Sequence, residues 1–113
     1  MKRHPVPTHV ILSALILGPA DVGRTVALHT GDELVIRLTC GPADWWSIQG
    51  GDGQCPLLTR SRISEFTTIG RHRMQELRFT AQAEGECRLV FQRAAGTGPA
   101  VEEIVFRVRI EPR

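Results

Sequence analysis

The sequence predicts an all-β domain, either a sandwich or a barrel. Several short segments alternate apolar and polar residues, as strands with one buried face do. Glycine and proline separate these segments at regular spacing, and no stretch keeps a 3.6-residue period. With 113 residues, of which 42% are hydrophobic, the chain is large enough to bury one core without a metal.

The first part of the chain divides into an arm and a candidate strand. Residues 1–9 contain two prolines and two histidines and are predicted to form a flexible arm, so that one domain spans 10–113. The apolar run 10–17 is either the first strand or the apolar part of a secretory signal that is cut after Ala20. We favour the strand, and with it a slight preference for the cytoplasm over secretion, although the compartment stays open.

The first half of the domain alternates in short strands. Segments 25–28 and 46–48 are predicted strands, and 57–63 is a weaker one. Segment 33–38 alternates so that Leu34, Ile36 and Leu38 share one face.

The second half contains three longer alternating segments, separated by loops. They are predicted to bury one face each, and the inward residues are Leu77, Phe79 and Ala81, then Cys87, Leu89 and Phe91, then Ile104, Phe106, Val108 and Ile110. Segment 64–73, with its basic tip, and segment 94–100 are predicted to be exposed loops.

Trp45 and Trp46 are adjacent and are the only tryptophans of the chain. Successive residues of a strand point to opposite faces, so one indole can enter the core while the other faces outward. We expect Trp46 to be the inner residue and Trp45 the outer one.

Three cysteines leave at least one thiol unpaired. Cys40 and Cys55 flank the tryptophan pair and could form a disulfide, but three reduced and buried thiols, with Cys87 as an inert one, are an equal alternative. The chain has no Cys-x-x-Cys pair and no histidine at ligand spacing from a cysteine, so we expect no metal site.

Composition and motifs argue against several function classes. The net charge is +2 with acids and bases mixed, which is not the basic face of a nucleic-acid binder. The apolar run 10–17 is too short to cross a membrane as a helix. None of the four histidines stands in a catalytic motif, and the glycine-rich segment 50–53 is not a phosphate-binding loop. We therefore expect no enzyme and no cofactor, but a rigid β scaffold that binds through its loops.

The order of features resembles the chagasin family of cysteine protease inhibitors. Segment 31–38 resembles the strand that enters the family's first loop, in which Pro42 and Trp46 match the proline and the closing tryptophan. Gly70 matches the first glycine of the second loop, and Arg93 matches the arginine that begins the third. The resemblance implies an immunoglobulin-like antiparallel β-sandwich with Greek-key connections. It also implies that three loops at one end enter the cleft of a papain-like cysteine protease.

The resemblance assigns the partner-binding residues by loop. They are Gly41, Pro42, Ala43, Asp44 and Trp45 in the first loop, Gly70, Arg71, His72 and Arg73 in the second, and Arg93, Ala94 and Ala95 in the third. The partner is expected to be a papain-like protease or another protein, bound by a monomer without nucleic acid or membrane.

The loops also depart from the family pattern. The first loop is two residues shorter and lacks the Thr-Thr-Gly core, and Arg71, His72 and Arg73 replace a glycine-rich stretch. Ala94 and Ala95 replace Pro and Trp. These departures favour an alternative, a non-inhibitory recognition or structural domain that binds another protein through the same loops.

Overall fold

A computed structural model describes residues 13–49, 55–60, 64–70 and 72–113. Within these residues the chain forms nine strands and one short 3-10 helix. The strands are β1 (Ala14–Leu17), β2 (Thr25–His29), β3 (Glu33–Cys40), β4 (Trp45–Ile48), β5 (Leu58–Arg60), β6 (Glu65–Ile69), β7 (His72–Ala81), β8 (Gly85–Ala94) and β9 (Glu102–Glu111), and the 3-10 helix is Pro19–Asp21. The predicted arm 1–9 and residues 10–12 lie outside the described residues, as do the glycine-rich segment 50–53 and residues 61–63.

The strands form two sheets, which confirms the predicted all-β sandwich. The five-stranded sheet has the order β1-β3-β7-β5, with β6 also pairing with β7, and the four-stranded sheet has the order β2-β9-β8-β4. Most strand pairs are antiparallel, as expected, but both sheets are mixed, because β1 pairs with β3 and β2 pairs with β9 in parallel. The chain crosses between the sheets after β1 and again after β2, and each crossing reverses its direction, so β1 and β3 run the same way.

Alternation along the strands builds the core between the sheets. The predicted inward residues of β3, β7 and β9 are all buried, as are Leu89 and Phe91 of β8. Phe91 packs edge-to-face against both Phe79 and Phe106, with ring centroids 6.4 and 6.0 Å away. The alternation of the tryptophans is also confirmed, since Trp46 is 4% exposed and Trp45 is 41% exposed.

The apolar run at the start of the domain forms a strand where it is described. Ala14–Leu17 pairs with β3, and Leu17 is buried in the core. The strand interpretation is therefore right for these residues. No helix within the described residues is long and apolar enough to cross a membrane.

The predicted exposed loop 64–73 is instead a β-hairpin. β6 pairs with β7 from Glu65↔Glu76 to Ile69↔His72, and Gly70 lies in the turn that follows β6. The run Thr67-Thr68-Ile69 is β-branched and suits a pleated strand. Gly70 has a φ of +61°, a conformation that glycine adopts without strain.

The disulfide joins Cys55 to Cys87, with their Cα atoms 5.4 Å apart, and Cys40 is free and buried. Both expectations for the cysteines, a Cys40–Cys55 bridge and three reduced thiols, are therefore wrong. Cys40 ends β3 at one end of the sandwich, whereas the chain reaches Cys55 only after β4 has run to the other end. There Cys55 meets Cys87 near the start of β8.

Candidate functional site

Three connections meet at one end of the sandwich. They are a first loop (41–44) between β3 and β4, a second loop that contains Gly70 between β6 and β7, and a third loop (95–101) between β8 and β9. The strand register places them together, because Cys40 pairs with Arg73 and Trp45 pairs with Ala94. We call this surface the three-loop end.

The first loop is closed by Asp44. The backbone N–H of Gly41 donates to Asp44 Oδ1 at 2.6 Å, which spans the four loop residues. A Cβ atom at Gly41 would lie 3.1 Å from Asp44 Oδ2, so glycine leaves room for the carboxylate. The closed loop carries the backbone of Pro42 and Ala43 at its outer side.

Arg93 joins the first loop to the third. Its Nη1 atom lies 2.7 Å from Asp44 Oδ2, and its Nη2 atom lies 3.2 Å from Glu102 Oε1, at the start of β9. Desolvation lowers the pKa of Arg93, but the bonds to Asp44 and Glu102 outweigh it and raise the pKa. The guanidinium is thus held as a charged brace between two carboxylates.

Arg73 joins the second loop to the first. Its Nη1 atom donates to the carbonyl oxygens of Pro42 at 3.2 Å and Gly41 at 3.5 Å. On the other side its guanidinium carbon lies 4.1 Å from the centre of the Phe66 ring. The side chain therefore lies along the protein surface instead of projecting from it. His72 is exposed beside it, and Arg71 lies outside the described residues.

The buried side chain of Gln75 holds β4 against β7. Its Oε1 atom accepts from the backbone N–H of Trp46 at 2.7 Å, and its Nε2 atom donates to the carbonyl of Trp46 at 2.8 Å. Gln75 is 1% exposed and was missed in the sequence analysis. The sequence pattern does predict that position 75 is buried, because the inward alternation of Leu77, Phe79 and Ala81 continues back along the chain to position 75.

Trp46 and Cys40 form the base of the first loop. The indole Nε1 of Trp46 donates to the carbonyl of Thr39 at 3.0 Å, which links the strands on both sides of the loop. Burial raises the pKa of the Cys40 thiol, against an opposing effect of Arg73. The thiol is therefore a packing group and not a nucleophile.

The third loop is compact but has no aromatic anchor. The N–H of Val101 donates to the carbonyl of Arg93 at 2.8 Å, and that of Gly98 donates to the carbonyl of Ala95 at 3.0 Å. Ala94 is half-buried and Ala95 is exposed. Val101, 64% exposed, is the large apolar side chain that this loop presents.

The described residues do not suggest metal chemistry. Across 13–49, 55–60, 64–70 and 72–113, no three histidine, cysteine or acidic side chains come together as ligands would. What these residues do form is a surface of three loops that Arg73, Arg93 and Asp44 hold together.

Comparison with known proteins finds the fold but no sequence relative. No protein-family model matches the chain, and no curated protein matches it. The crystal structure of the cysteine protease inhibitor EhICP2 from Entamoeba histolytica matches with a TM-score of 0.74 and 14% identity, over 89% of this chain and 98% of that one. The solution structure of amebosin matches with a TM-score of 0.66 and 15% identity, over 89% and 98%. PbICP-C, solved in complex with falcipain-2, matches with a TM-score of 0.51 and 13% identity, over 90% and 91%. At these identities the comparisons show the fold.

Proposed function

We propose that this protein inhibits papain-like cysteine proteases by placing the three-loop end in the active-site cleft. The observation that carries the proposal is the bracing of three loops into one surface by Arg73 and Arg93. Support comes from the shared fold with EhICP2, a cysteine protease inhibitor, and with PbICP-C, solved with falcipain-2. The protein acts as a monomer and a binding partner, without catalysis or a cofactor of its own.

The bracing contacts explain how such loops can inhibit. Asp44 and Arg93 fix the first loop before any partner arrives, so little conformational entropy is lost on binding. Arg73 stands where the resembled family has a glycine-rich stretch, and Arg93 matches the family's arginine. Each guanidinium lies along the protein surface in contact with other groups. The loop backbone of Pro42 and Ala43 therefore remains the outermost part of the first loop.

The test is inhibition of papain by the purified protein with a peptide substrate. We expect inhibition that is competitive with the substrate, because the loops occupy the substrate's cleft. Asp44→Ala should weaken inhibition roughly tenfold, since it removes the acceptor of the Gly41 N–H and one of the two carboxylates that hold Arg93.

Two controls keep the result interpretable. Glu84→Gln changes an exposed carboxylate near the start of β8, far from the loops, and should inhibit like the wild type. Trypsin, a serine protease, should not be inhibited. Absence of papain inhibition by the folded protein at about 50 micromolar, where even a weak complex forms, would contradict the proposal.

One observation favours the second candidate, a recognition domain for another protein. The third loop has Ala95 where the resembled family carries a tryptophan, and aromatic residues are common binding hot spots. Capture of a partner that is not a protease, lost in Asp44→Ala, would support this candidate.

A further inference from the structure

The two sheets leave one aromatic residue of the sandwich interior uncovered. Phe66 pairs with Gln75, so both side chains point toward the other sheet. The bonds from Gln75 to Trp46 show that β4 lies over β7, and β6 is the next strand outward. Phe66 is consequently 44% exposed although it occupies an inward position.

A groove of about 470 Å3 lies between β4 and β6 at this edge. Its lining includes Trp45, Ser47, Arg60, Ser64 and Phe66, with Gln75 below them. Two exposed aromatic rings that flank one groove form an apolar surface of the kind that binds proteins.

The groove does not accept an added strand at Trp46. The N–H and carbonyl of Trp46 on the outer edge of β4 are both bonded to the side-chain amide of Gln75. A partner must therefore enter this part of the groove with side chains and not with its backbone.

The groove is continuous with the three-loop end. Trp45 directly follows the first loop, and the ring of Phe66 contacts Arg73, which in turn holds the carbonyl of Pro42. A protein body seated on the three loops would extend over Trp45 and Phe66.

The charge of the groove indicates its occupant. Arg60 is the charged side chain among the described residues that line it. Its contact there is one 3.3 Å hydrogen bond to the hydroxyl of Ser64, which leaves other N–H donors of the guanidinium available. Charge complementarity therefore calls for a carboxylate beside the apolar side chain of a partner.

We propose that the groove is a second contact surface for the same protease. It holds a segment that borders the active-site cleft, with an apolar side chain between Trp45 and Phe66 and a carboxylate bonded to Arg60. This inference rests on the proposed inhibitory function.

The experiment measures papain inhibition constants for the wild type and for groove variants. Phe66→Ala, Trp45→Ala and Arg60→Glu should each weaken inhibition, the aromatic variants by roughly tenfold or more. Arg60→Glu should weaken inhibition mainly by lowering the association rate constant. The difference from the wild type should become smaller at high salt. Ser47→Trp fills the groove while leaving Phe66 and Arg73 in contact, so it separates blocking of the groove from loosening of the first loop.

Two variants serve as matched controls for this experiment. Ile16→Ala removes an exposed apolar side chain on β1, at the far edge of the same sheet, and Arg88→Glu makes the same charge change at an exposed position of β8. Both should inhibit like the wild type.

Each outcome decides a different point. If the groove variants have the same papain inhibition constant as an inhibitory wild type, the groove proposal is wrong and the inhibitory function stands. Weak inhibition by Phe66→Ala combined with full inhibition by Ser47→Trp would overturn the groove and assign the effect to Arg73. A wild type that does not inhibit overturns both proposals. Dimerisation of the free protein that is lost in Phe66→Ala would assign the groove to a second copy.

Discussion

The side-chain amide of Gln75 is the polar group on which the position of β4 depends. Replacing it in Gln75→Leu would leave the N–H and carbonyl of Trp46 buried without partners. We expect a loss of about 2–6 kcal/mol in the free energy of unfolding, because two buried groups lose their partners and each costs about 1–3 kcal/mol. Urea unfolding measures this loss, and papain inhibition at a temperature where the variant is folded should also weaken, since β4 carries the end of the first loop.

A matched control for this substitution is Gln92→Leu. Gln92 bonds to Glu103 on the exposed outer face, so its loss should change stability by about 0.5 kcal/mol or less. Equal losses in the two variants would contradict the role of Gln75.

At the scale of single residues, the alternation predicted the inward positions, including the buried Trp46 and the exposed Trp45. The alternation did not identify the role of Gln75, because periodicity predicts the face on which a side chain lies and not the polar group that it bonds on the opposite sheet.

The outer face of β3 and β7 carries a chain of ion pairs centred on Glu76. Arg37 Nε lies 2.9 Å from Glu76 Oε1, and Arg78 Nη2 lies 2.8 Å from Glu76 Oε2. The hydrogen bond from Arg37 lowers the pKa of this carboxyl below 4.5, and those from Arg78 add to it against desolvation. Since the folded-state pKa is lowered, the stabilisation is present above the unfolded pKa and is lost as the pH falls through the folded pKa.

Glu76→Gln should therefore lower the free energy of unfolding at pH 7 by about 1 kcal/mol or less. The difference from the wild type should vanish as the pH is lowered below the ordinary value of 4.5 and through the folded pKa. Urea unfolding between pH 7 and 3 measures it, with Glu84→Gln as the exposed carboxylate control. A difference independent of pH would show that packing and not charge is responsible.

Strand existence was easier to predict than strand pairing. Alternation identified β3, β7, β8 and β9, since each buries one face over many residues. β6 was predicted as a loop because its side chains at Thr67 and Thr68 are exposed and carry no inward apolar pattern. The first and third loops lie between strands as the sequence predicts, whereas the predicted second loop is largely the β6–β7 hairpin. The contacts of Arg73 and Arg93 that join the loops link residues more than 30 positions apart, which no local pattern predicts.

At the scale of the whole molecule, the least predictable features are those set by the chain path. The parallel pairing of β1 with β3 follows from two crossings between the sheets, which no local pattern records. The cysteine pairing has the same origin, because Cys55 is close to Cys40 in sequence but lies at the opposite end of the sandwich. Such pairings depend on where strands lie in space, and three cysteines alone leave that open.

The position of the disulfide leads us to expect that its reduction lowers the stability of the protein without changing its inhibition of papain. Cys55 and Cys87 are 32 residues apart, and opening a loop of that length should cost about 3–4 kcal/mol in the free energy of unfolding. Cys87 lies seven residues before Ala94 on β8, about 23 Å from the three-loop end. Reduction should therefore lower the melting temperature while leaving the papain inhibition constant unchanged at a temperature where the protein is folded.

The pair Cys55→Ala with Cys87→Ala opens the same loop whether or not a reductant is present, so its effect can be measured in the reducing buffer that a cysteine protease needs. Cys40→Ala is the matched control, because it removes a buried thiol next to the first loop and leaves the disulfide intact. Its melting temperature should stay above that of the double variant. Loss of inhibition in a folded double variant would mean that the disulfide end and the three-loop end are coupled through β8, so that the sandwich does not act as an inert support for its loops.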